Sequence, residues 1–270
     1  MTSFRHIVIG FDGREDGYRA LRWARAFALA SPATVLHLTH ALALPAIPMH
    51  SLDLTVEELF AAAERDIRRE LDAAAAELAA AGVAAELHVR RWLPADTLIE
   101  PAEARGAACI VVGRHGGRAH RMLIGSTSGR VSREARVPVV VTRGAVKTSP
   151  PRRILVGMDG SPGSQSALSA ACSLFPDARW LVASARDGSG GLDTNELAAC
   201  ARAAGLAPTQ VEVQSTEGDA AAVLLALAAS ADIDLLCVGR RGGGPLLDLL
   251  LGSVSEKLLQ LAPCPLLLSH

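Results

Sequence analysis

Two aspartates and two glycine-rich loops are the residues of this chain whose types and spacing could do chemistry. Asp12 follows the apolar run His6-Ile-Val-Ile-Gly10-Phe and precedes Gly13; Asp159 follows Ile154-Leu-Val-Gly157-Met and precedes Gly160. A carboxylate there either caps a turn or helix, or accepts hydrogen bonds from hydroxyls such as those of a ribose. Later in each half an apolar run stops at glycine, in Cys109-Ile-Val-Val112-Gly113 and in Leu236-Cys-Val238-Gly239. A loop containing Gly116 or Gly242 then leads to Gly125-Ser126-Thr127 or Gly252-Ser253-Val254. Glycine lets the backbone approach a ligand closely. A helix opening at Ser126 or Ser253 offers unpaired N–H groups with partial positive charge, plus a hydroxyl, which is a cradle for phosphate. A lone Gly-x-x-Gly is equally well a surface loop capped by serine; the same order of strand, loop, Gly-Ser and helix found twice is not.

Other chemistry is disfavoured by what is absent. Lys147 and Lys257 are the only lysines, and neither follows a glycine as a P-loop requires nor sits in a strand as a protein kinase requires. No Ser-His-Asp ordering, zinc-ligand spacing or paired-carboxylate pattern stands out, so no catalytic residue and no metal ligand is assigned. His37 and His40 are three apart on a predicted strand and point to opposite faces, which suits core or edge histidines better than ligands of one metal. His115, inside the first loop, either touches phosphate or is solvated. Arg240 and Arg241, beside the second loop, either screen phosphate or pair with surface acids.

The bulk numbers set the class. The chain has 270 residues, half of them hydrophobic, with a formal net charge of -1 and 3% aromatics. Nucleic acid and anionic membranes are therefore not expected partners. No apolar stretch is long enough to span a bilayer and no signal-peptide pattern opens the sequence. Five cysteines, none in a C-x-x-C pair, fit a reducing cytoplasm, with Cys109, Cys237 and Cys264 expected as buried thiols in apolar strand-like runs.

The elements that must position these residues alternate. The first half reads strand Phe4–Phe11, helix Asp16–Ala30, strand Thr34–Leu42 and a loop broken by Pro45 and Pro48. A long helix follows from the capping box Thr55/Glu58 to about Ala81, stopped by Gly82. Strand Ala84–Arg91, helix Ala95–Arg105, strand Ala108–Val112, helix Ser126–Ala135 and strand Val137–Thr142 complete it. The second half repeats the order, with strands predicted over 152–158, 179–185, 209–215, 234–238 and 264–269, and helices over 162–174, 193–204, 219–230 and 253–261. Alternation of this kind predicts an α/β fold of two five-stranded, doubly wound, parallel-sheet domains (1–143 and 152–270) joined by a linker at 144–151, with ligands outside the carboxyl ends of the strands.

On these residues the chain resembles the universal stress protein family in its tandem form, over nearly its whole length. The family's ATP-binding motif is Gly, two residues, Gly, nine residues, then Gly-Ser or Gly-Thr. The second half matches in full, from Gly239 and Gly242 through nine residues to Gly252-Ser253. The first half has eight residues between Gly116 and Gly125-Ser126, and Trp92 where the family has glycine after strand three, while keeping Pro94; the second half keeps Gly218 but has Ala220 for that proline. The resemblance implies an adenine nucleotide alpha hydrolase-like fold with the two domains related by a pseudo-two-fold axis. It implies that Asp12 and Asp159, with the flanking Gly10, Gly13, Gly157 and Gly160, meet ribose or adenine. Ala41 and Ala185 meet adenine through their backbone, Val112 and Val238 line the base, and Gly113, Gly116, Gly125, Ser126, Thr127, Gly239, Gly242, Gly252, Ser253 and Val254 hold phosphates. It also implies that the last strands of the two halves pair within the chain, as an internal pseudo-dimer that could dimerise further.

Three functions fit. The first is a regulator of the stress response that binds ATP, ADP, AMP or cyclic AMP and alters its binding to a protein partner not identified by the sequence. The second is a slow ATPase or nucleotidyl-transfer enzyme in which Asp12 or Asp159 helps hold Mg2+. The third is an assembly module whose loops are empty, above all in the first half with its shorter loop.

Overall fold

The computed structural model describes residues 5–42, 55–114, 125–186, 190–241 and 251–270; His115, Gly116, Gly242, Pro45 and Pro48 lie outside them. The first half runs β1 (Arg5–Gly10), α1 (Glu15–Ala30), β2 (Thr34–Ala41), α2 (Val56–Ala80), β3 (Ala84–Arg90), α3 (Pro94–Ala104), β4 (Cys109–Gly113), α4 (Ser126–Glu134) and β5 (Val139–Thr142). The second runs β6 (Arg153–Gly157), α5 (Pro162–Leu174), β7 (Arg179–Arg186), α6 (Thr194–Ala203), β8 (Val211–Glu217), α7 (Ala220–Ser230), β9 (Leu235–Gly239), α8 (Ser253–Leu261) and β10 (Leu266–Ser269).

Local chemistry explains the boundaries. Thr55 and Glu58 form the predicted reciprocal capping box, and α2 buries Ile67, Leu71, Ala74 and Leu78, one stripe at helical spacing. Asp193 and Glu196 make a second box at the start of α6. Three predicted strands begin two residues late: β5 at Val139 rather than 137, β10 at Leu266 rather than 264, and β8 at Val211 rather than 209. Pro208 opens a 3-10 turn instead, closed by the Gln210 amide donating to the Ala207 carbonyl at 2.9 Å.

All ten strands join one sheet, in the order β3-β2-β1-β4-β5-β10-β9-β6-β7-β8. Neighbours within each half are parallel. At the centre β5 and β10 pair antiparallel, with Val140 opposite Leu267. The predicted pairing of the last strands is thus present inside a single chain. Each face of the sheet carries one core running across both halves. One contains Ile9, Phe27, Leu71, Leu168 and Leu267; the other contains Leu98, Val112, Leu224, Val238 and Leu258. Phe175, at the end of α5, stands edge-on to both Trp23 and Phe27 of α1, at 6.1 and 5.6 Å between ring centroids, so aromatic packing also crosses between halves. The buried Cys109 and Cys264 thiols are pushed up to about 12 and 11, mainly by desolvation, which fits inert structural cysteines.

Two arginines stitch the seam. Arg143, just after β5, donates to the carbonyls of Leu258 (3.2 Å), Leu259 (3.5 Å) and Gln260 (2.8 Å) in the last turn of α8. Arg240, just after β9, reaches back to the carbonyls of Arg133 and Val137 beyond α4, both at 3.2 Å. Each half thereby lends a cation to the negative end of the other's helix. Burial pushes both guanidinium groups down to about 10. Arg143→Ala is expected to cost about 2–3 kcal/mol, the scale of hydrogen bonds from a charged donor; a urea midpoint equal to that of the wild type would remove Arg143 from the seam.

Candidate functional site

Each half carries a cleft at the carboxyl ends of its strands, where open parallel sheets bind ligands. The second-half cavity has a volume of about 570 Å³ and the first-half cavity about 420 Å³. Both lie within the roughly 300–1,000 Å³ of small-molecule pockets.

Five elements supply most of the second cavity. The end of β6 supplies Gly157 and, beyond it, Met158 and Asp159; β7 supplies Ala183 and Ala185. Leu224 of α7 and Val238 of β9 make an apolar wall. The first turn of α8 closes the cavity with Gly252, Ser253, Val254 and Ser255. Gly252 is the N-cap of α8 and has no side chain to cap it. The first turn of α8 thus lines the cavity with no N-cap side chain to accept from its amides, whose partial positive charge favours an anion. Glu256, also in that first turn, opposes this charge in part. Ser255 anchors the turn by donating to the Gly239 carbonyl at 2.7 Å. Asp159 follows β6, and its Oδ1 accepts from the Ser161 amide at 2.9 Å and hydroxyl at 2.6 Å. The carboxylate is held in place by its own turn, which is the bland role foreseen for it, while it also lines the cavity.

The first cavity repeats the plan with Gly10, Asp12, Ala41, Val112 and Gly113, and closes on Thr127 and Ser128 of α4. Gly125 caps α4 and Ser126 opens it, ahead of the lining residues. Asp12 Oδ1 accepts from the Arg14 amide at 3.1 Å. This cavity is more polar than its counterpart. It adds Arg14, Thr39 and His40, whose Nδ1 lies 2.8 Å from the Phe11 carbonyl. Pro94 lines it, whereas Trp92 stands 60% exposed and outside the lining.

Of the sequence-predicted residues among those described, Gly125 and Ser126 are outside the first lining, and Gly13 and Gly160 are outside both. Their φ values of +69° and +80° turn the chain after Asp12 and Asp159, a conformation natural to glycine. Gly113 and Gly239 have a second reason to be glycine. A Cβ on Gly113 would stand 2.2 Å from the Asp16 carbonyl oxygen, and one on Gly239 2.5 Å from the Gly163 carbonyl carbon, so the first turns of α1 and α5 could not approach. The arginine question left open by the sequence divides: Arg241 lines the second cavity, while Arg240 is committed to the seam. Lining residues missed by the sequence, such as Leu98, Leu224 and His40, come from α3, α7 and β2. Only their position at strand ends or in the first turns after them could have flagged them.

Away from the cavities, His37 of β2 is buried among titratable groups of neighbouring strands. Its Nε2 lies 2.9 Å from His6 Nδ1 on β1, and its Nδ1 lies 3.1 Å from His88 Nε2 on β3. Desolvation holds the His37 imidazole neutral, pushed down to about 4, with Glu86 opposing this and Arg105, His88 and His6 reinforcing it.

Comparison with known proteins agrees with this architecture. The model of the universal stress protein family matches residues 3–143 and 173–270. Universal stress protein Rv2005c of Mycobacterium tuberculosis is 30% identical, with 98% of this chain and 96% of that protein covered. A universal stress protein of Mycolicibacterium smegmatis is also 30% identical, but the match spans 60% of this chain and 57% of that one. Among solved structures, a universal stress protein from Archaeoglobus fulgidus superimposes with a TM-score of 0.81 at 20% identity, covering 98% of both chains. With its family model matched in both halves and a full-length relative at this identity, the chain belongs to the universal stress protein family.

Proposed function

We propose that this chain is a regulatory protein that binds an adenine nucleotide in the second cavity and, with different side chains around it, in the first. Its working units are residues 1–143 and 152–270, with 144–151 between them. The observation that carries this reading is the N-terminus of α8, without a side-chain cap, lining an apolar-walled cavity together with Asp159. A phosphate chain meets Gly252, Ser253 and Val254; a base lies against Leu224, Val238 and the Ala185 backbone; and Asp159 accepts from ribose hydroxyls. The fit is supported by Gly157, where a Cβ would intrude on the side chains of the apolar wall. Mg2+ would arrive with the nucleotide, its coordination supplied mostly by phosphate and water.

The test is to denature purified protein and count released adenine nucleotide per chain, then titrate emptied protein with ATP, ADP, AMP and cyclic AMP. About two nucleotides per chain is the result expected if both cavities work. No release together with no saturable titration would overturn the reading. Asp159→Asn retains a side-chain oxygen for the Ser161 turn but loses the charge. It is expected to weaken binding at the second cavity by about 1–3 kcal/mol, the scale of hydrogen bonds to a charged group. Calorimetry showing unchanged affinity would exclude the ribose role.

A further inference from the structure

We propose that the outer strands of the first half carry a zinc-class divalent metal site, with His37 Nδ1, His88 Nε2 and Glu86 Oε2 as ligands and His6 as the group that orients His37. The parallel register sets Glu86 opposite His37, and the two-residue period of a strand puts His88 on the same face as Glu86. On the other side Val8 stands opposite His37, which places His6 one side-chain repeat away on that face. β3 ends the sheet, so this face opens to solvent there.

The three ligand atoms form a compact triangle. His37 Nδ1 lies 3.1 Å from His88 Nε2 and 3.3 Å from Glu86 Oε2, and His88 Nε2 lies 3.6 Å from Glu86 Oε2. A circle through three points so spaced has a radius of about 1.9 Å. An ion at the usual distance of about 2.1 Å from each would sit roughly 0.8 Å out of their plane. Tetrahedral coordination at that distance calls for about 0.7 Å and octahedral for about 1.2 Å, so the preference is for a tetrahedral ion. The fourth position faces the exposed side, where Glu86 is 56% and His88 23% accessible, and water completes it.

One of the two neutral tautomers of His37 suits a metal. If His37 Nε2–H donates to His6 Nδ1, then His37 Nδ1 presents a lone pair toward the Glu86 carboxylate. A single proton on His88 Nε2 can satisfy one of these two acceptors but not both, whereas a divalent cation draws all three ligand atoms together. The same Nε2–H to His6 contact is the outer-shell bond that fixes the orientation of a metal-binding imidazole. Arg105 opposes the cation: its charge lies within electrostatic reach of His37 and His88.

The experiment is a titration of tag-free, chelator-stripped full-length protein with Zn2+ alone, read by calorimetry and by metal content after desalting. The expected result is one zinc per chain. His88→Ala and Glu86→Gln change partly exposed side chains and should each weaken binding at least 100-fold with unaltered circular dichroism. His6→Ala should weaken it by about 10–100-fold, the range for an outer-shell partner, and Arg105→Gln should tighten it. X-ray absorption on the zinc-loaded protein should show two imidazoles. No saturable binding at micromolar zinc, or one zinc per chain retained by both His88→Ala and Glu86→Gln, overturns the site.

Discussion

Valine in place of Gly157 is expected to lower nucleotide affinity at the second cavity at least 100-fold while the protein stays folded. A Cβ at 157 would stand 2.7 Å from Leu224 Cδ1 and 3.1 Å from Val238 Cγ1. Both are side-chain ends that line the cavity, so they can yield only by moving into the space the base would occupy. The isopropyl group fills what remains. A 100-fold loss is about 2.8 kcal/mol of binding free energy, against a small stability change because no backbone is displaced. The first half provides an internal control. Gly10 sits in the equivalent position, with Leu98 Cδ1 at 3.1 Å and Val112 Cγ1 at 3.2 Å from a built Cβ. Gly10→Val should silence the first cavity and spare the second. Calorimetry on the two variants would assign each binding event to its cavity; undiminished affinity in both would show that nucleotide lies elsewhere.

The second large effect concerns the seam. Leu267 is fully buried in β10, between Val140 of β5 and Cys237 of β9. Leu267→Asp would place a carboxylate in a fully buried apolar cluster. It is expected to cost at least about 4 kcal/mol, among the largest effects of a single substitution. A protease site inserted between residues 144 and 151 makes the result specific. After cleavage the wild-type halves should remain together on size exclusion, because β5, β10, the aromatic contact and both arginines still join them. The variant halves should separate or aggregate. An unchanged urea midpoint with co-eluting halves would show that the seam contributes little.

Much of this architecture is legible in the sequence because it depends on local signals. The Thr55/Glu58 box and Gly82 after α2 mark helix ends directly. The repeated landmarks reveal the duplication, and the family resemblance anticipates the pairing of β5 with β10. What cannot be read depends on which residues approach from elsewhere in the chain. Gly113 and Gly239 read as phosphate-binding glycines, yet the backbone of α1 and α5 would exclude a side chain there with or without a ligand. Arg240 and Arg241 are adjacent and alike in sequence; only the position of the other half separates a seam residue from a cavity residue. His6, His37 and His88 are spread over 83 positions and become neighbours only through strand order and register. His37 and His40 lie on opposite faces of one strand, whereas the partners of His37 come from the strands on either side of it.

The central antiparallel pair has an evolutionary consequence. In a two-fold dimer of identical subunits each interface must be self-complementary, and every substitution appears on both sides at once. Here β5 offers Val139, Val140 and Val141 while β10 offers Leu266, Leu267 and Leu268, so the two partners already differ. A mutation in one is felt once and can be answered by a different change in the other. Released from that symmetry, the polar cleft with Arg14 and His40 and the apolar cleft with Leu224 are free to diverge while staying at a fixed one-to-one ratio that dilution does not change.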